Sequence, residues 1–193
     1  SPDFDETRRS QFAAHILTMS RQMRQLIEEM LDLARTDSGQ STLIFSQVDL
    51  SRLISDAVLP FEPVFFEAGH PLTADIQENI TVRGSQQHLR QTVDILLDNA
   101  RKYAAPSGEI SVTLTRCGGR CRLAVSNPGP EISKADLQNI FKRFYRVDEA
   151  HTQRGSYGLG LSIARNIILR HRGRIWAESK NGRNTFFVEL PVK

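Results

Sequence analysis

Gly155-Ser156-Tyr157-Gly158-Leu159-Gly160-Leu161-Ser162-Ile163-Ala164 is the stretch on which the reading of this chain turns. Gly155, Gly158 and Gly160 let the backbone approach a polyphosphate closely. The helix that begins near Leu159 directs unpaired N–H groups and its positive end toward the same place. No Gly-Lys-Ser/Thr follows, so this is not a Walker-type loop. Phosphate charge has to be met from elsewhere, by Lys102, Arg146 or Arg154. A glycine-rich turn alone is weak evidence, and its neighbours decide.

Outward from this turn the chain alternates strand patterns with amphipathic helices. Residues 159–170 are predicted helical, and 174–178 with 185–190 are predicted strands closing a sheet. Upstream, 110–115 and 122–125 alternate like the arms of a hairpin. Residues 86–103 form a long helix with Leu89, Val93, Leu96, Leu97 and Ala100 on one side. Residues 71–76 and 81–83 are strand candidates around a polar turn, and 45–50 read as a short strand. Ser51 is then the expected cap of a helix to about residue 67, kinked or interrupted by Pro60 and Pro63. Residues 129–157 mix charge, glycine and two phenylalanines without a period, which predicts a mobile loop carrying a short helix. The element order suits an α/β (α+β) two-layer sandwich with mainly antiparallel neighbours. A dinucleotide fold would carry its glycine turn after the first strand.

Ahead of these elements, Phe12, Ile16, Met19, Met23, Leu26, Met30 and Leu33 fall at alternating spacings of four and three, a heptad seam. Two readings stand: an amphipathic helix packed on its own domain, or a bundle helix whose seam needs another helix or another chain. Asp37-Ser38-Gly39-Gln40-Ser41 breaks the pattern as a linker.

The 193 residues suit one ordinary domain plus an appended element, with 39% hydrophobic and 24% charged residues, as in globular proteins. No apolar run is long enough to span a membrane, and no signal-peptide pattern opens the chain. A net charge of +3 is too mild to argue for nucleic acid, so no nucleic-acid partner is expected. Cys117 and Cys121 flank Gly118-Gly119-Arg120, a hairpin turn with a cysteine at each foot, and are read as free thiols or a cross-strand disulfide.

Asn99, Lys102 and Tyr103 share one helix face. An amide oxygen can ligate Mg²⁺, an ammonium can neutralise phosphate, and a phenol can hydrogen-bond it. Taken with Asn127-Pro128-Gly129-Pro130-Glu131-Ile132 and Phe141-Lys142-Arg143-Phe144-Tyr145-Arg146, these blocks resemble the N, G1 and F boxes of the catalytic ATP-binding domain of bacterial sensor histidine kinases, in the GHKL superfamily. The glycine stretch resembles the G2 box. The resemblance runs over nearly the whole chain. It implies the histidine kinase/GHKL sandwich at 44–193, a linker at 38–43, and a preceding long helix at 1–37, the second of a dimerisation region.

It also implies ATP and Mg²⁺ as ligands. Asn99 matches the metal-binding Asn, and Lys102 and Tyr103 match phosphate contacts. Asn127, with Gly129 and Ile132 in its box, matches the acceptor for adenine's exocyclic amine. Phe144 and Arg146 belong to a lid, with Arg154, Gly155, Gly158, Leu159 and Gly160 along the phosphates and Leu161 on the adenine side. The γ-phosphoryl would pass to a His of a homodimer and on to an Asp of a response regulator, in the cytoplasmic portion of a membrane-anchored protein. No catalytic side chain is assigned. His15, His70, His88, His151 and His171 all lack the expected phosphoacceptor surroundings.

Four positions depart from the family pattern. Ile95 stands where a second Asn is usual, so metal binding would lean on Asn99, water and phosphate oxygens. Asn127 replaces an Asp and adds a donor, which predicts weaker discrimination of adenine. Glu131 and Ser156 replace glycines, Glu131 stiffening the lid hinge. Two rival readings remain open: a GHKL ATPase, for which no water-activating base is evident, and a degenerate module that dimerises or docks without catalysis.

Overall fold

The computed structural model describes residues 44–106, 108–147 and 158–192, with Ser20 and Ile27. The chain divides into two units, Ser1–Ser41 and Thr42–Lys193. In the first, Ser20 and Ile27 are helical and exposed. The heptad seam, the 38–43 linker, His15, His151, Arg154, Gly155, Ser156 and Tyr157 lie outside the described residues.

In chain order the second unit holds β1 (Ser46–Asp49), α1 (Leu50–Val58), α2 (Phe61–Glu67), β2 (Leu72–Ile76), β3 (Thr81–Gly84) and α3 (Gln86–Tyr103). There follow β4 (Ile110–Cys117), β5 (Arg120–Pro128), α4 (Lys134–Asn139), α5 (Gly160–Arg170), β6 (Arg174–Lys180) and β7 (Arg183–Pro191). Five strands form one sheet in the order β2-β4-β5-β7-β6, while β1 and β3 make a separate antiparallel pair. Helix α3 packs against both α1 and α5, and each of the three also meets a strand of the large sheet.

The period-two alternation of the strands explains the layer between sheet and helices. Val112 and Leu114 of β4, Leu123 and Val125 of β5, and Phe186, Val188 and Leu190 of β7 are buried there against Leu89, Val93, Leu96 and Leu97 of α3. Each such side chain withdrawn from water stabilises the fold by about 1.5–3 kcal/mol. On the opposite face, Glu189 of β7 accepts from Arg122 of β5 and Arg174 of β6. Trp176 stacks on Phe187 at 5.0 Å. The arginine hydrogen bonds, Arg122 first, hold the Glu189 carboxyl below its ordinary range.

Three local expectations change, and one open choice is decided. Asp49, not Ser51, caps α1, its Oδ1 accepting from the Arg52 amide at 3.0 Å. The Ser51 hydroxyl instead donates to the Gln77 carbonyl at 2.7 Å and accepts from the Ile80 amide at 3.0 Å. The proposed single helix is two: the chain breaks at Leu59 and Pro60, whereas Pro63 sits in the first turn of α2, where its missing N–H costs nothing. β2 runs parallel to β4, because β3 and α3 form the crossover between them. Of the two cysteine readings, the free thiols hold and the cross-strand disulfide does not, because the cysteines do not oppose each other. Cys117 pairs with Arg120 and is exposed, while Cys121 pairs with Arg116 and is buried on the core face, so both are free thiols. Burial pushes the Cys121 thiol up to about 11.

Candidate functional site

The C-terminal turns of α3 carry the first group. Lys102 is mostly buried, at 15% side-chain exposure, and its Nζ lies 2.7 Å from Asp98 Oδ2. Arg101 reaches the other oxygen of the same carboxylate at 2.7 Å. One acidic side chain therefore holds two cations at the helix end, where the helix dipole already favours positive charge. Asn99 is half-buried, and Tyr103 is 38% exposed. Ile95, one turn before Asn99, is half-buried and packs toward the start of α5: a Cβ on Gly160 would meet its Cγ2 at 3.4 Å. A methyl group thus occupies the space beside Asn99 where a second amide was looked for.

The end of β5 and the turn after it form the second group. The Pro128 carbonyl accepts from the Ala105 amide just past α3 at 2.8 Å, which ties this turn to the Lys102 end of the helix. Gly129 is required there, because a Cβ would lie 2.7 Å from Asn184 Nδ2 and 3.3 Å from the Tyr103 carbonyl. Asn127 is 1% exposed. Its Nδ2 donates to the Pro128 carbonyl at 2.9 Å, and its Oδ1 has no hydrogen-bond partner among the described residues. Leaving a buried acceptor unmade costs about 1–3 kcal/mol. A group in that position is open to a donor that the described residues do not supply.

The start of α5 and the segment after α4 form the third group. Leu159 is fully buried and gives the first amides of α5 no side-chain cap. Leu161 is partly buried against the core. Gly158 has φ +72°, and a Cβ on it would stand 2.6 Å from the Tyr145 carbonyl. The Phe144 amide donates to the Gly158 carbonyl at 3.0 Å, with Phe144 itself at φ 62°. Two left-handed residues therefore join the F-box segment to Gly158; the glycine adopts this conformation freely, whereas Phe144 is strained in it. Phe144 is 56% exposed, Arg146 is half-buried, and Tyr145 is fastened to Asp136 of α4 through its hydroxyl.

So α3 meets the Asn127 turn at Pro128, α5 meets α3 at Ile95, and the F-box segment meets Gly158. Asn99, Lys102, Tyr103, Asn127, Gly129, Gly158, Leu159 and Gly160 come from three separated stretches that these contacts join. Ile132 stands one step away, its amide donating to Ser179 Oγ at 2.8 Å. Among the described residues no group of three His, Cys, Asp or Glu could hold a metal ion. Asp98 is engaged by its two cations, which leaves the Asn99 amide oxygen as the hard donor of this region.

Sequence reasoning overlooked Ser179 and Asn184. Ser179 Oγ donates to Asn184 Oδ1 at 2.6 Å, and Asn184 Nδ2 donates to the Pro130 carbonyl at 3.1 Å. The signal was present, since Asn184 is the one polar residue on the inward alternation of Asn184, Phe186, Val188 and Leu190. His171, which lacks phosphoacceptor surroundings in the sequence, has a defined structural role. Its Nε2 accepts from the Ser85 amide at 2.9 Å while Nδ1 faces the Ile167 carbonyl at 2.7 Å. A carbonyl only accepts, so Nδ1 carries the proton and the ring is neutral. Burial lowers its pKa further.

Residues 84–193 match the family described as histidine kinase-, DNA gyrase B-, and HSP90-like ATPase. The chain is 33% identical over 183 residues to the sensor protein DltS of Streptococcus agalactiae (serotype III, strain NEM316), covering 95% of this chain and 46% of that protein. This chain spans about half the length of the curated sensor proteins it matches. The solved catalytic domain of the histidine kinase ThkA superposes with a TM-score of 0.68 at 28% identity, covering 76% of this chain and 95% of that one. ThkA in complex with the response regulator protein TrrA superposes at 0.71 and 24% identity, over 89% of this chain and 49% of that one, a likeness of fold.

Proposed function

This chain belongs to the histidine kinase-, DNA gyrase B-, and HSP90-like ATPase family, and we propose that it is the ATP-binding catalytic portion of a sensor histidine kinase. In this reading it binds Mg–ATP, passes the γ-phosphoryl to a histidine outside these residues, and acts with a response regulator as the next acceptor. The whole protein would be a homodimer anchored at a membrane, this portion lying in the cytoplasm. Among the described residues no helix is long and apolar enough to cross a membrane.

The observation that carries the reading is the unpartnered Oδ1 of buried Asn127, set beside the glycine turn that α3 abuts. A buried, unpartnered acceptor selects a base with an amine at that point. From there the purine would lie toward Leu161 and the phosphates toward Lys102 and the amides at the start of α5. Asn99 would give one oxygen to Mg²⁺, which otherwise keeps water and phosphate oxygens as ligands. When bound, the cation neutralises charge on the transferred phosphoryl group. The chain's own part is positioning and charge neutralisation, as phosphoryl transfer requires. Asp98 holds the Lys102 ammonium at the helix end, where it is ready to meet phosphate.

The test is calorimetric titration of ATP and ADP, with and without Mg²⁺. Binding is expected, and Lys102→Ala should weaken it by about 1.5–3 kcal/mol, the worth of a charge-assisted contact. Absence of heat with either nucleotide on folded protein would refute the assignment. The packing of Ile95 against the Gly160 end of α5 favours a second reading, a module that binds nucleotide without transferring phosphate. Phosphoryl transfer to a histidine-bearing dimerisation domain supplied separately decides between the two.

A further inference from the structure

We propose that Ser179 and Asn184 are positioning residues that, with the Pro128 carbonyl, make the neutral Asn127 amide act as a hydrogen-bond acceptor, and so set the choice of adenine over guanine. The inference rests on the nucleotide-binding reading above and concerns how its base is chosen. A free carboxamide can accept or donate, and would tolerate either purine. Here its donor side is directed at the Pro128 carbonyl at 2.9 Å, which fixes the orientation of the amide. Turning it over would set two oxygens against each other in a site only 1% exposed. Oδ1 is then left as a buried acceptor with no partner among the described residues.

The Pro128 carbonyl can do this only if the turn holds still, and the chain fastens that turn from outside. The Gly129 amide donates to the Gly182 carbonyl at 2.9 Å. The Pro130 carbonyl accepts from Asn184 Nδ2, and the Ile132 amide donates to Ser179 Oγ. The Ser179–Asn184 hydrogen bond at 2.6 Å joins these last two anchors across β6 and β7. Asn184 is also the cross-strand partner of Asn127, so the brace and the base-reading amide share one rung of the sheet. Ser179 is central: its hydroxyl accepts from the turn and donates to Asn184. Removing it frees the Asn184 amide to rotate and the turn to shift, and Asn127 regains the choice of donating.

The experiment compares ATP and GTP affinity by competition, on the 193-residue chain and on Ser179→Ala, Ser179→Thr and Asn184→Ala. The parent should favour ATP, because guanine would place a carbonyl against Oδ1. Ser179→Ala and Asn184→Ala should each narrow that preference by about tenfold, the worth of one hydrogen bond, and Ser179→Thr, which keeps the hydroxyl, should restore it. A brace that served stability alone would lower both affinities together and leave the ratio unchanged, and that result overturns the proposal. Equal binding of the two nucleotides by the parent overturns it as well while leaving nucleotide binding intact. A parent that binds neither nucleotide refutes the functional reading itself.

Discussion

Gly158→Ala tests the junction between the F-box segment and the glycine turn. At φ +72° an alanine in the left-handed region costs about 1–2 kcal/mol. The stiffer unfolded chain offsets less than about 1 kcal/mol of that. The added Cβ also stands 2.6 Å from the Tyr145 carbonyl, 3.0 Å from the Phe144 carbonyl carbon and 3.1 Å from the Tyr145 nitrogen. These are backbone atoms, so the 144–145 segment has to move away and the Phe144–Gly158 hydrogen bond is lost, a further loss of about 1 kcal/mol. Gly118→Ala provides the comparison, with φ +60° and nothing within 4 Å of its Cβ. It bears the backbone cost without the collision. Thermal unfolding of both variants, with calorimetric titration of ADP, separates the two contributions. Gly158→Ala should be the less stable by about 1 kcal/mol, and should alone lose nucleotide affinity, by about tenfold or more. Equal stability loss in the two variants, or unchanged ADP binding by Gly158→Ala, would refute the argument that this contact shapes the site.

Two further predictions concern the helices. The His171 pKa is lowered in the folded state, so its contribution to stability is complete above the unfolded value of 6.5 and is lost as pH falls below it. The thermal midpoint should drop between pH 7.5 and 5.5, with a shallower slope in His171→Ala, and parallel slopes would count against the assignment. Ile95→Asn should increase the Mg²⁺ dependence of nucleotide affinity while lowering the thermal midpoint, since it puts a carboxamide against Gly160 in a half-buried place. Unchanged metal dependence would mean that position 95 does not face the phosphates.

The helices were more legible than their connections. The limits of α3 were readable from its apolar stripe, because Leu89, Val93, Leu96, Leu97 and Ala100 are set by the helix's own period. Ser51 was misread because Asp49 and Ser51 are both capping types. What decides is that the Ser51 hydroxyl is drawn to Gln77 and Ile80, nearly thirty residues away. Lys102 and Asn127 could be named from their motifs. The Asp98 partner of Lys102 follows from their i, i+4 spacing on one helix, whereas Pro128, which turns the Asn127 amide through its backbone, leaves no such signal. Ser179 and Asn184 sit in strands whose register across β5, β6 and β7 is a property of the assembled sheet.

The contacts of His171 have a mechanical consequence. They tie the start of α3 to the end of α5, and Ile95 against Gly160 ties the middle of α3 to the start of α5. The two helices therefore run antiparallel and are fastened at two points about 15 Å apart along α3. Two such fastenings prevent the pair from scissoring, much as a second bolt stops a hinge. In the nucleotide-binding reading this braced pair would be the rigid floor of the site, and adjustment would fall to the 141–147 segment. A change at the far fastening should then be felt at the near one: loosening the imidazole would let α5 swing and carry Gly160 away from the phosphates.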